Sequence, residues 1–500
     1  MTANAARIDV STLGIYGDGV TDVSVALQSA LSTYKTLYMP AGTYVISNTI
    51  SFPSGGDILG AGSNTIIKPT STPLYAFKVV GTDTTYISNT VVDSLTFAGT
   101  PGQIGFLAKK AYGVTVRRCS TSQGIGLFKS VVTKVYTNIT SEADLNRYLT
   151  VISNTVNASS SSPSVAVGID FEFSADCEAS ANTVNYYYHG IMWWGGDSNL
   201  SVNGALANPR WARRIHIGTN SVSNAGQGGI WGSMGQNVTI ERNEINYCGD
   251  VGLDLEGCFN SVAQYNYVTN GVNGSLATFY SASNVLFAFN TVVTTDATRP
   301  IYRLYNSSLD PSKVMNLTLS NNILIGSGCI GDIDDSSGAG YLTIVGNTMT
   351  NVFINLTRGG SGFNGAAPII TKNTLTYTID LAQSMTAIDS YYYFGNPTIG
   401  ANTVIYNGAT TSNKIGIRVR KLAPATSTVI TITNNTVKGC SDADIYVYAT
   451  TNGVTANIKT NTVQFGQILV GQTGLQTVNA AGNKNLSGAT VNVTWLSGLS

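Results

Sequence analysis

Two carboxylate pairs are spaced for acid–base chemistry: Asp170 and Glu172 in GIDFEF (168–173), and Asp254 and Glu256 in GLDLEG (252–257). Both segments alternate like short β-strands, where residues two apart project from one face. Leu253 and Leu255 take the inward face of one, leaving Asp254 and Glu256 outward. Ile169, Phe171 and Phe173 take the inward face of the other, leaving Asp170 and Glu172 outward. Outward neighbours on a strand have Cα atoms about 6.6 Å apart. That is compatible with the roughly 6.5–9.5 Å between the carboxyls of an inverting glycosidase, where a water must fit beside the sugar. One carboxyl would be the acid and the other the base, with like-charge crowding keeping the acid protonated. Asp254/Glu256 is the preferred pair and Asp170/Glu172 the distal one. A solvated face, or coordination of a bound ion, is the plain alternative for both.

Aromatic residues fall on the same expected flank. Trp193 and Trp194 (in HGIMWW, 189–194), Trp231 and Tyr280 offer flat amphipathic faces to sugar rings. A second column holds Glu178 and His216, each four residues before a recurrent Asn. They form either an acid–base couple or a satisfied surface pair. Arg213, Arg214 and Arg242 lie beside them and would suit an anionic sugar, which favours a lyase acting on a uronate.

These residues need a scaffold, and the sequence supplies a repeat. The tripeptide Asn, any residue, then Val, Ile, Leu or Met recurs at Asn154, Asn182, Asn220, Asn243, Asn266, Asn290, Asn322, Asn347, Asn373, Asn402, Asn435 and Asn461. A fixed unit with loop insertions is the signature of a solenoid. Two or three short strands per unit, without helical periodicity, describe coils of a parallel β-helix. The recurrent Asn is expected to hold the left-handed bend itself and to form an amide ladder from coil to coil. The expected division is an N-terminal segment with a capping helix (1–70), a β-helix body (71–469) and a terminal coil or cap (470–500). The capping helix is expected over about 22–33, with Val25, Leu27, Ala30 and Leu31 as its apolar surface.

Composition removes several classes. Lys plus Arg and Asp plus Glu are both 27, so the basic excess of a nucleic-acid binder is absent. Apolar residues reach 43%, too many for a disordered chain. No window holds the roughly 18 unbroken apolar residues of a membrane helix. Cys119, Cys177, Cys248, Cys258, Cys329 and Cys440 fit no zinc pattern and read as buried apolar fillers. With His189 and His216 as the two histidines, neither a metal nor a cofactor site is expected. The first thirty residues carry no hydrophobic signal core, so the chain is expected to be cytoplasmic, exported without such a signal, or processed.

Gly17-Asp18-Gly19-Val20-Thr21-Asp22, Leu37-Tyr38-Met39-Pro40-Ala41-Gly42-Thr43-Tyr44 and Gly60-Ala61-Gly62 resemble the N-terminal signature of pectate-lyase-like right-handed β-helix proteins. Bacteriophage tailspikes with depolymerase activity belong to that group. The polygalacturonase motifs are missing, except that Tyr188-His189-Gly190 stands in place of one, and the epimerase motif DPHE is absent. The resemblance implies an all-β, single-stranded right-handed parallel β-helix, a homotrimer, and a virion protein acting outside the cell on a bacterial surface polysaccharide. Three functions are open: an inverting endo-glycosidase, a polysaccharide lyase, and a non-catalytic sugar-binding adhesin or fibre.

Overall fold

The computed structural model describes residues 7–71, 74–158, 166–196, 210–279, 282–306, 315–335, 340–358, 368–379, 385–391, 396–407, 414–421, 428–449, 453–471 and 475–496. Contacts group the chain into two compact units, Met1–Asp254 and Leu255–Ser500. Both are β-solenoids of parallel strands.

A coil of the first unit shows the pattern. It runs through Ile169–Glu172, Ser174–Ser180 and Thr183–Asn185 before Ile191–Trp194 opens the next coil. Each strand pairs in parallel with its equivalent one coil on: Ile169 faces Ile191, Glu178 faces His216, and Val184 faces Val222. In the second unit, Arg418 faces Tyr446, Ile432 faces Ile458 and Val437 faces Val463. Alternation puts every second side chain inside, where an aromatic stack fills the first unit. Phe52 and Phe77 lie 5.3 Å apart, Phe106 and Phe128 stack at 6.0 Å, and Phe128 meets Phe171 at 5.7 Å.

Strands this short need sharp corners, and the corners recur. Asp176, Ala181 and Tyr186 have φ of 60°, 54° and 64°; Arg214, Thr219 and Asn224 repeat this at 52°, 56° and 54°. These positions fall six before, one before and four after a recurrent Asn. The bend expected at the Asn therefore falls on the residue preceding it. Holding a non-glycine residue left-handed costs about 1–2 kcal/mol, so something must over-determine each corner.

The buried Asn does so, forming the expected ladder. Asn182 receives the Asn154 N–H at 3.0 Å and its side-chain amide at 2.9 Å on Oδ1, and donates Nδ2 to Val151 O at 2.9 Å. The same bonds link Asn182 to Asn220 and Asn220 to Asn243. In the second unit the chain of bonds runs from Asn266 through Asn290, Asn322, Asn347, Asn373, Asn402, Asn435 and Asn461 to Asn483. Asn483 adds a rung that the tripeptide misses, because Asn485 stands where the apolar residue should be.

The N-terminal signature also has a mechanical cause. A Cβ on Gly17 would lie 2.7 Å from Gly42 C, and the Gly17 carbonyl accepts the Thr43 N–H at 3.0 Å. Two backbones in contact leave no room for a side chain on either. The helix spans Ser24–Tyr34 and buries Leu27, Ala30 and Leu31, while Val25 is 79% exposed and adds nothing to the packed face.

Two outcomes follow. Asn220→Ala removes the acceptor for the Asn182 N–H and the donor to Ala179 O, both buried. Each orphan costs about 1–3 kcal/mol, so chemical denaturation should show a loss of at least about 2 kcal/mol. Exposed Asn237, another corner residue, should tolerate Ala with a smaller loss. The second outcome concerns thiols. Cys119, Cys177, Cys248, Cys258 and Cys440 are free and buried, and burial pushes the thiols of Cys119, Cys177 and Cys248 up to about 12. They should be silent to a thiol reagent in the native protein and titrate fully after denaturation; a native reaction at any of the five contradicts the packing.

Candidate functional site

The strand Ile169–Glu172 alternates as its sequence predicts. Ile169 and Phe171 are fully buried inside the coil, which turns Asp170 and Glu172 to the flank. Parallel register then builds a column: Lys129 faces Asp170, Asp170 faces Met192, and Met192 faces Trp231. The Gly229 N–H bonds Val251 O at 3.0 Å, which sets Trp231 opposite Asp254.

Lys129 is the residue that sequence reasoning missed. Its ammonium reaches Asp170 Oδ2 at 2.8 Å and also pairs with Glu172 Oε1. Asp170 is outward in register yet only 2% exposed. Burial is the largest influence on its carboxyl and pushes it up to about 7; Lys129 pulls the other way, and the Glu172 charge adds to the rise. Burial works against the Lys129 ammonium, but the two carboxylates together hold it above its ordinary range. Among the described residues the cluster carries one cation for two carboxyls, and burial favours the protonated form of Asp170.

The aromatic residues divide. Trp193 is turned into the coil and fully buried, so it offers no face to a ligand. The reason stands one rung on: a Cβ on Gly232 would lie 1.9 Å from Trp193 Cε2, so the indole occupies the space that Gly232 leaves. Phe173 likewise departs from the expected alternation. Its φ of 46° ends the strand, and it packs with Ile139, Leu145, Ala175 and Trp211. Trp194 is half-buried against Phe173 at 5.1 Å and Tyr136 at 5.8 Å, beneath segment 132–145. That segment is pinned by Glu142 to Arg213 and Arg214, at 3.0 and 2.7 Å. Trp231 is half-buried and stacks on His189 at 4.8 Å and 21°, with Tyr188 edge-on to the imidazole at 4.8 Å. Burial pushes His189 down to about 4, so it is neutral at pH 7, and its Nδ1 accepts the Gly228 N–H at 3.2 Å. Tyr280 lies outside the described residues.

Glu178 and His216 are rung neighbours in register, but their bonds go elsewhere. Ser180 Oγ donates to Glu178 at 2.7 Å, and His216 Nε2 lies 3.3 Å from Glu241 Oε1. The nearby arginines are also engaged. Arg214 bridges Glu142 and Asp176, Arg213 pairs with Glu142, and Arg242 meets Glu241 at 3.0 Å. Each of these arginines is already engaged by a carboxylate, so a uronate would have to compete for it. Asp254 is buried and closes the first unit, whereas half-buried Glu256 belongs to the second.

Comparison with known proteins agrees with this architecture. A family model described as "Rhamnogalacturonase A/epimerase, pectate lyase-like" matches residues 7–254. The preneck appendage proteins of Bacillus phages PZA and phi29 are each 40% identical over 62 residues, 12% of this chain and 7% of theirs. The chain therefore spans less than a tenth of the length of these curated relatives. The crystal structure of pre-mature bacteriophage phi29 gene product 12 superposes with a TM-score of 0.56 at 14% identity, covering 95% of this chain and 72% of that one. The parallel coils, the close-packed glycine signature at the N-terminus and the family match together place residues 7–254 in the pectate-lyase-like family of parallel β-helix proteins.

Proposed function

We propose that this protein cleaves a bacterial surface polysaccharide by glycoside hydrolysis, as a homotrimeric appendage of a phage virion, with Asp170 and Glu172 as the catalytic carboxyls. One observation carries the reading: a single ammonium, Lys129, holds two outward carboxyls on the column that carries Trp231, stacked on His189, two rungs on. The family model bears the name of a rhamnogalacturonase, which supports a glycan substrate, and it covers the unit that holds this pair. The appendage proteins of two phages support the virion setting.

Strand spacing alone suggests inversion, but Lys129 changes that expectation. Its ammonium stands between the carboxyls, where an inverting enzyme would place its water. Drawn together by one nitrogen, the pair suits the shorter separation of retaining enzymes, about 5–5.5 Å. Glu172 then attacks the anomeric carbon, while protonated Asp170 gives its proton to the departing glycosidic oxygen. Water later cleaves the glycosyl ester, with Asp170 as base. Trp231, stacked on neutral His189, supports a neighbouring sugar ring. The paired state of Arg213, Arg214 and Arg242 favours hydrolysis over elimination from a uronate.

Asp170→Asn and Glu172→Gln should each lower turnover by about 10²–10⁴-fold with folding intact. Asp254→Asn and Glu256→Gln should keep most of the activity; the opposite pattern moves the site three rungs along. The acid must be protonated, so turnover should fall as pH rises through about 7. Lys129→Met removes the charge that lowers the Asp170 pKa, so the alkaline limb should move to higher pH. NMR of the first-formed product should show a retained anomer, and an unsaturated product absorbing in the ultraviolet would establish a lyase instead. Light scattering should return a trimer mass; a monomer at micromolar concentration overturns the assembly.

A further inference from the structure

The second unit sorts its charges by face. In each coil one strand leads into the ladder Asn and another leaves it. The strands before the Asn bury Leu317, Ile344, Ile370 and Ile399, and turn Thr318, Thr343, Ile369 and Thr398 outward in one column. The strands after it bury Leu324, Met349, Leu375 and Val404, and turn Ile323, Thr348, Thr374 and Thr403 outward in another. Tyr267 and Thr291 lie at the head of this second column. The corner between the two flanks carries Tyr265 and Phe289, stacked at 5.1 Å and 9°. Tyr265, Tyr267, Phe289 and Ile323 are each between 43 and 48% exposed, which makes a contiguous apolar patch rather than scattered surface residues. From Val262 to Ile405, Lys372 is the one charge among the described outward residues of these strands and corners. Arg303, Asp389, Arg418 and Arg420 lie instead on the remaining strand of their coils.

We propose that this corner and its two flanks are where three copies of the chain pack, about an axis along the stacking direction of the coils. The inference rests on the trimer of the proposed function and names the face that makes it. In such a ring one flank of each copy meets the other flank of the next at the same height, and the corner meets itself. A charged corner would face its own charge in the other copies, and a lone charge on a flank would be buried unanswered. A threonine hydroxyl both donates and accepts, so it is satisfied against another threonine in either role. A two-fold pair would need one flank only, whereas here the flanks on both sides of the corner are cleared of charge. Six coils at about 4.8 Å and two flanks about 10 Å wide offer roughly 600 Å² per copy, near the ~800 Å² that each partner gives a stable interface. Lys372, exposed on the corner, has a stem long enough to lie along the surface with its ammonium in water.

The test is a charge swap across the interface, read by light scattering of the full chain over a dilution series. Thr343 and Thr348 belong to one coil and sit on opposite flanks of its corner. Thr348→Lys and Thr343→Glu should each raise the concentration of half-assembly by about tenfold or more, and the double variant should return it close to the parent value. Asn355→Lys, on the remaining strand beside Asp389, should leave the mass unchanged. A second measurement needs no charge. Ala401→Cys places a thiol on the corner, and a short trifunctional maleimide should then give a covalent trimer on a denaturing gel, while Asn355→Cys should give none. If the charge variants fail to fold, this linkage decides alone. A monomer from the unmodified chain overturns the trimer and the face together. A trimer that tolerates both single charges, or gives no linked trimer from Ala401→Cys, leaves the trimer standing and overturns the face. Linkage that stops at a dimer overturns the three-fold arrangement, and an equal loss of assembly with Asn355→Lys overturns the assignment to these flanks.

Discussion

Along the Asn ladder of each unit, a buried amide answers the backbone groups that the corner of the coil exposes. Ala181 and Thr219 are held left-handed at real conformational cost, and their positions directly precede Asn182 and Asn220. Asn182 Oδ1 accepts two bonds from the coil before, and its amide donates back to Val151 O. Such bonds repeat within each unit and fix register as well as curvature. Register decides the chemistry, because a slip of one residue exchanges the two faces of a strand. A one-residue error at Asn182 would push Asp170 and Glu172 into the aromatic stack and bring Phe171 to the surface.

The interior sets the other half of the site. Phe128 and Phe171 meet at 5.7 Å inside the coil, and Trp193 spreads over the rung of Gly232. With that volume filled, the flank residues cannot retreat inward, and neutralisation must come from the flank itself. Lys129 provides it from the preceding coil. Segment 132–145 closes the neighbouring wall through Glu142 and packs Phe173 and Trp194 beneath it. The carboxyls therefore lie in a covered part of the flank.

What was legible in the sequence was whatever repeats. The recurrent Asn and the period-two strands follow from local pattern, and the structure keeps them. Lys129 was invisible because its coil is marked by Cys119, whose N–H donates to Asn154 Oδ1 at 2.9 Å where an Asn would otherwise stand. Without that marker, nothing aligns GLFKS with GIDFEF. Trp193 was misread because an indole on a short strand looks amphipathic until its neighbour in the next rung is known to be Gly232. Phe173 broke the alternation because one positive φ ends a strand without any glycine or proline to announce it. The Lys129 and Trp193 misses are contacts between coils, and such contacts are not written in the spacing along one coil.

The ion pairs show why the Asp170 cluster differs from the rest. Asp93 is held by Arg117 and Arg118, and Asp389 by Arg418 and Arg420. Asp176 and Glu142 together meet Arg147, Arg213 and Arg214. Among the described residues, cations outnumber carboxylates in these ion pairs, as expected where a buried or half-buried acid must be kept ionised for the fold. The Glu142 carboxyl is accordingly drawn down to about 2, chiefly by its hydrogen bond from Arg214. Lys129 inverts the ratio, serving both Asp170 and Glu172. Two carboxylates sharing one ammonium in a covered site cannot both shed their protons as easily as exposed ones, so one proton is retained into the neutral range. A second cation would have stabilised the pair better as structure. Its absence from the ion pairs of the described residues leaves a group suited to give and take a proton near neutral pH, which is what the proposed hydrolysis requires.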